Sequence, residues 1–184
     1  DIGRMVDEFS SFARMPTPKF QIDDICEIIR QTVFSQKIAF PNVEYSLSAP
    51  PEQIPVSMDA RLISQAILNI LKNAAESVTH YATQTTESFT PLINVIGQIE
   101  NNNVVITIED NGAGFPKQDR SKLLEPYVTT RAKGTGLGLA IVARIFEEHK
   151  GSIKLTDRID GQRGAAVILT LPVRSEEHTS ELQS

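Results

Sequence analysis

A chain of 184 residues, 40% hydrophobic and 22% charged, has the length and composition of one globular domain with a real core, which excludes a disordered or fibrous protein. Its net charge of −5 and the lack of any basic run argue against a nucleic-acid surface, and no apolar run is long enough to cross a bilayer. The single cysteine, Cys26, rules out an internal disulfide and reads as a buried free thiol in a reducing compartment.

Asp1 to Arg14 reads as the end of a helix, with Ile2, Met5, Phe9 and Phe12 spaced like a seam that pairs with another helix. Pro16 and Pro18 stop it. The seam packs either on another subunit or missing segment, or on the domain's own core. The chain starts inside this helix without a Met, so it is read as a piece of a longer protein.

Lys19 to Ile22 suits a short strand, and Asp23 or Asp24 then caps a helix through about Ile38 with Ile25, Cys26, Ile29 and Val33 inward. Val43 to Ser48 alternates as a strand, and a proline-bearing connection leads to a short strand at Val56–Met58. Asp59 is the expected N-cap of the longest helix, about Ala60 to Val78. Ile63, Ile67, Ile70 and Ala74 form its apolar side, while Gln65, Asn69, Lys72, Asn73 and Glu76 lie on another. Asparagine is a poor mid-helix residue. Two of them one turn apart are therefore either part of a solvated face or a pair of amide oxygens for a hard cation such as Mg²⁺.

His80 to Thr90 reads as a polar surface loop. Ile93–Ile99 and Val104–Asp110 are expected to pair antiparallel around Asn101–Asn103. Asp110-Asn111-Gly112-Ala113-Gly114 follows, either as a simple turn or as a site where Asp110 accepts a hydrogen bond from the exocyclic amine of a base. Gly112 and Gly114 would let backbone approach the ring. A polar segment then leads to Gly134-Thr135-Gly136-Leu137-Gly138 at the start of a helix running to Lys150. Such a turn is either a hinge or an anion cradle of free N–H groups at the positive end of a helix. It is not a phosphate-binding P-loop, because no Gly-Lys-Ser/Thr follows. Gly151 is the expected terminator of that helix, and His149 is read as a surface residue complementing its dipole. Ile153–Arg158 and Ala165–Leu171 close the sheet as a hairpin. Helices mixed with antiparallel strands, rather than strict alternation, give an α+β two-layer sandwich with a mixed sheet and helices on one face.

The motifs in this order resemble the sensor histidine kinases. Asn69-Ile70-Leu71-Lys72-Asn73-Ala74 is similar to their N box, Asp110–Gly114 to the G1 box and Gly134–Leu139 to the G2 box. Leu124-Glu125-Pro126-Tyr127 resembles the F box, with Leu and Tyr where phenylalanines are usual, and Gly164-Ala165-Ala166 loosely matches the last glycine box. The likeness covers about Lys19 to Val173, and the first sixteen residues are similar to the end of the dimerisation helix in nitrogen-regulation kinases of the NtrY type.

The resemblance implies the Bergerat ATP-binding fold, with residues 1–16 ending a dimerisation helix and 17–173 forming the catalytic domain. It implies ATP and Mg²⁺ as cofactors, with Asp110 on the adenine amine and Asn69 and Asn73 on the metal. The loop residues Thr129, Thr130, Arg131 and Lys133, with Gly134 to Gly138, would meet the phosphates. It implies three partners as well: a phosphoacceptor-histidine dimerisation domain of the same protein, a response regulator, and a second copy in a full-length homodimer. The setting would be cytoplasmic, with a membrane reached only through missing segments. His80, His149 and His178 lack the acidic neighbour of a phosphoacceptor, so transfer would occur only in trans. One alternative is an ATPase of the gyrase, Hsp90 and MutL branch, which carries a glutamate where this chain has Asn69. Another is a nucleotide-binding module without catalysis. Arg174 to Ser184 resembles translated adapter sequence and is set aside, a native acidic tail being the alternative.

Overall fold

A computed structural model describes residue 3, residues 17–126 and residues 138–173. Residue 3 is helical, and the rest of the expected N-terminal helix lies outside the described residues, as does the segment from residue 174 onward.

The described chain begins with strand β1 (Gln21–Asp24) and helix α1 (Ile25–Ala39). Asp24 is the N-cap, accepting the N–H of Cys26 at 3.0 Å, and the same Oδ1 takes the N–H of Ile54 at 3.0 Å. One carboxylate thus starts the helix and fastens it to the approach to strand β3 (Pro55–Met58). Strand β2 (Glu44–Ser48) lies between them. The two short strands expected at Lys19–Ile22 and Val56–Met58 form at Gln21–Asp24 and Pro55–Met58, and they pair with each other, antiparallel, as a small separate sheet.

Helix α2 (Ala60–Gln84) is capped by Asp59, which accepts the N–H groups of Arg61 and Leu62 at 3.2 and 3.4 Å. The helix continues six residues past Val78, so the expected polar loop begins only after Gln84. Its inward residues Ile63, Ile67, Ile70 and Ala74 are buried as the spacing predicts.

The main sheet holds β2, β4 (Leu92–Glu100), β5 (Asn103–Asp110), β6 (Ser152–Asp157) and β7 (Ala165–Pro172) in the order β2-β4-β5-β7-β6. Only β2 and β4 run parallel. The β4–β5 turn is made by Asn101 and Asn102 at φ 51° and 63°, the left-handed pair a tight hairpin needs. Val95, Ile106, Ile108, Val167 and Leu169 fall on one face of the sheet and are buried beneath the helices. The two-layer α+β sandwich is as expected.

Helix α3 (Gly138–Glu148) ends with the N–H of Gly151 on Phe146 O at 2.7 Å and that of Lys150 on Glu147 O at 3.0 Å. This is the Schellman pattern, but Lys150, at φ 58°, takes the left-handed position and Gly151 only follows it.

His149 overturns the surface reading. It is 4% exposed, and its Nε2 accepts the N–H of Asp59 at 3.0 Å. Nε2 must therefore be the bare nitrogen, leaving Nδ1–H to donate to Ile145 O at 2.7 Å. The imidazole caps its own helix from inside the core and ties the end of α3 to the start of α2.

Candidate functional site

Asp110 ends β5, paired with Ile93 and Ala165, and its side chain falls on the helix-covered face with only 7% exposure. Its Oδ1 accepts the N–H of Gly112 at 2.9 Å, which folds the chain back over the carboxylate. Gly112 then lies flat on α2: a Cβ there would stand 2.6 Å from Ser77 Oγ and 3.3 Å from the Ser77 carbonyl carbon. Any side chain would lift the turn off the helix.

Asn111 faces away from this contact. Its Oδ1 accepts the N–H of Leu92 at 2.9 Å, its Nδ2 donates to Thr90 O at 2.8 Å, and its own N–H reaches Leu92 O at 3.3 Å. The Asn-Gly pair is therefore no hairpin turn. The asparagine amide stands in for a strand partner and fixes the loop before β4 to the Asp110 turn.

The far side of the turn is held by Gly164. At φ +138° it passes so close to Asp110 that a Cβ would fall 1.8 Å from the Asp110 carbonyl oxygen. Gly114, at φ +88°, meets Gly164 O in the same way, at 3.0 Å from a built Cβ. Two glycines distant in sequence thus let two loops touch by their backbones.

Toward the other end of the site, Asn73 lies one helical turn before Ser77 and Asn69 one turn before that, both half-buried on α2. Gly138, the first residue of α3, comes to Asn73: a Cβ built on it would stand 4.0 Å from the amide nitrogen. Asn73, Ser77, Gly112, Asp110 and Gly138 are thereby brought together, although they span 66 positions of the chain. Thr129, Thr130, Arg131, Lys133, Gly134, Thr135, Gly136 and Leu137 lie outside the described residues. Among the described residues no cluster of three or more His, Cys, Asp or Glu side chains could hold a metal ion, and no helix is long and apolar enough to cross a membrane.

Sequence reasoning missed Ser77 and Asn111 as parts of this site and gave Gly164 only a loose motif match. Ser77 was legible as the next residue of the Asn69, Asn73 stripe. The contacts of Gly164 and Asn111 join loops far apart in the chain, and no local pattern announces them.

Known proteins match along the same stretch. A family model described as histidine kinase-, DNA gyrase B-, and HSP90-like ATPase matches residues 58–175. The nitrogen regulation protein NtrY of Azorhizobium caulinodans is 52% identical over 177 residues, covering 93% of this chain and 22% of that protein. The signal transduction histidine-protein kinase AtoS of Escherichia coli is 28% identical across 95% of this chain and 28% of its own length. The chain thus spans about a quarter of the curated relatives it matches. Among solved structures, the mycobacterial sensor histidine kinase MprB superposes with a TM-score of 0.71 at 25% identity, over 85% of this chain and 99% of that one. The catalytic domain of histidine kinase ThkA gives 0.70 at 26%, over 84% and 96%. ThkA in complex with the response regulator TrrA shares the fold with a TM-score of 0.75 at 23% identity, over 96% of this chain and 48% of that one.

Proposed function

The chain belongs to the histidine kinase-, DNA gyrase B- and HSP90-like ATPase family, as an ATP-binding domain of its sensor histidine kinase branch, and from that premise we propose a catalytic role. The domain transfers the γ-phosphate of ATP to a histidine on a dimerisation helix that this chain lacks. The observation that carries the proposal is the meeting of Asp110 and Gly112 with Ser77, Asn73 and Gly138 at one end of the sandwich. An acceptor at one end for the adenine amine, a helix N-terminus at the other for phosphate, and amides between them have the layout of a nucleotide.

Asp110 accepts from the amine, and the bare backbone at Gly112 leaves the ring room to lie against the turn. Asn73 and Asn69 are the residues that would hold Mg²⁺, and neutral amide oxygens shared with phosphate fit its hard, oxygen-seeking coordination. When bound, the ion neutralises charge on the phosphates. Gly134 to Gly138 cradle the phosphate chain, with Thr129, Thr130, Arg131 and Lys133 beside them.

Asn69 favours transfer to imidazole over hydrolysis. An amide has no useful basicity toward water, whereas phosphoryl transfer to a ready nucleophile needs positioning and charge neutralisation more than a base. By the same reading the parent is a membrane-anchored homodimer whose cytoplasmic part includes this domain. A response regulator takes the phosphoryl group, the partner class seen with ThkA. Residues 1–16 end the dimerisation helix, residues 17–173 form the catalytic domain, and the remainder is a non-native or disordered tail.

Asn73→Ala tests the reading. ADP affinity without Mg²⁺ should change little, the Mg²⁺-dependent gain in ATP affinity should fall, and phosphorylation of a supplied dimerisation-helix substrate should nearly vanish. Full Mg²⁺-dependent transfer by the variant would show the polar face of α2 to be solvated surface.

A further inference from the structure

An exposed cation is tied to the Asp110 turn. Arg163, the residue before Gly164, lays its guanidinium over the Tyr81 ring at 4.2 Å from the centroid and stands 5.5 Å from that of Phe89. Tyr81 and Phe89 meet edge to face at 4.8 Å. Arg163 Nη2 also donates to Asn111 O at 3.3 Å. Tyr81 lies one turn beyond Ser77 on the same stripe of α2, and Phe89 belongs to the loop that Asn111 fastens through Thr90 and Leu92.

Three separate stretches therefore close around the Asp110 turn from outside, the end of α2, the loop before β4, and the β6–β7 loop through Arg163 and Gly164, and Asn111 is the turn's own point of attachment to the last two. Gly164 is pressed on the Asp110 carbonyl, Arg158 holds the loop from the β6 side through Asp160 and Arg163 O, and the Arg163 side chain ties it across to α2 and the loop before β4. We infer that Arg163 is a positioning residue for base recognition, clamping the Asp110–Gly112 turn to Tyr81 so that the carboxylate is held at the point where it meets an amine. The inference rests on the reading of Asp110 as the amine acceptor. A loosened turn leaves phosphate contacts in place but blurs the distinction between a purine with a 6-amino group and one without.

The 184-residue chain is titrated calorimetrically with ADP and with inosine diphosphate, which lacks the amine. Arg163→Ala and Tyr81→Ala should each weaken ADP binding about two- to fivefold, the scale of an exposed cation–π contact, and lower the ADP-to-IDP preference. The double variant should be no weaker than the worse single one, because the two side chains act as a unit. Tyr81→Phe, which keeps the ring face, should behave as the parent. Thermal melting of each variant separates a general loss of fold from a loss of selectivity.

An Arg163→Ala protein with an unchanged ADP-to-IDP ratio overturns the inference whatever its melting temperature. Asp110→Asn distinguishes the two failures. If that variant loses the preference while Arg163→Ala keeps it, the clamp alone is wrong. If Asp110→Asn keeps it, the adenine reading falls and the clamp with it.

Discussion

Asp110 is a buried carboxylate whose Oδ1 already accepts the N–H of Gly112, so the turn sets its orientation before any ligand arrives. Asp110→Asn retains an oxygen for that N–H and should leave the fold intact. On the proposed adenine role it places an NH₂ group where the amine would donate, and loss of one hydrogen bond to a charged acceptor predicts roughly 10- to 100-fold weaker ATP binding. Calorimetry showing equal affinity would remove Asp110 from the adenine site.

Gly164 makes the complementary case, because its function is entirely steric. A methyl group there collides with the Asp110 carbonyl, and the φ of +138° disfavours any side chain. Gly164→Ala should cost roughly 1–3 kcal/mol in urea unfolding and weaken nucleotide binding as well. If stability and binding both survived, the two loops would have to be free to separate without consequence.

At the scale of elements, the start of α2 is tied from several sides. Asp59 accepts the N–H groups of Arg61, Leu62 and, at 3.0 Å, Lys19, while its own N–H is taken by His149. Burial alone would raise the Asp59 carboxyl, but the N–H bonds and the nearby Arg61 outweigh it and hold the group below its ordinary range.

A depressed carboxyl favours the folded state once it is ionised in the unfolded chain, so its contribution is present above the ordinary carboxylate range. It is lost as pH falls through the lowered folded value. Asp59→Asn keeps a competent N-cap but loses the charge, and should therefore be less stable than the parent at neutral pH. The gap should close in acid, as read from urea midpoints across pH. A difference independent of pH would mean that the cap acts through its shape and not its charge.

The far end of α2 is governed differently. Thr79, Thr83 and Thr85 are weak helix formers. The helix continues to Gln84 because Tyr81 finds Phe89 and Arg163 to pack on, a tertiary contact that overrides local propensity.

The whole molecule has three histidines, and His149 is buried with both ring nitrogens bonded inside the core. It therefore offers no nucleophile to a phosphoryl group without unfolding the junction of α2 and α3. Incubated with Mg²⁺ and ATP, the chain by itself should incorporate no acid-labile phosphate, and should phosphorylate an added pair of helices carrying an acidic-flanked histidine. Label appearing on His80, His149 or His178 would contradict transfer in trans.

Local sequence pattern was enough for the main helices and strands, the inward faces of α1 and α2, the cap at Asp59, the sandwich class and the motif order, and it narrowed the cap of α1 to Asp23 or Asp24. Those features depend on neighbours one to four residues apart, through helix and strand periodicity and through side chains that satisfy their own backbone. Long-range contacts settled that Asp24 is the cap, that β1 and β3 form a sheet of their own, that α2 runs on to Gln84, and that His149 lies inside. They alone brought Gly164 and Asn111 to the Asp110 turn. In each case the deciding contact joins segments distant in the chain, where steric fit and hydrogen-bond demand across loops, not local propensity, set the outcome.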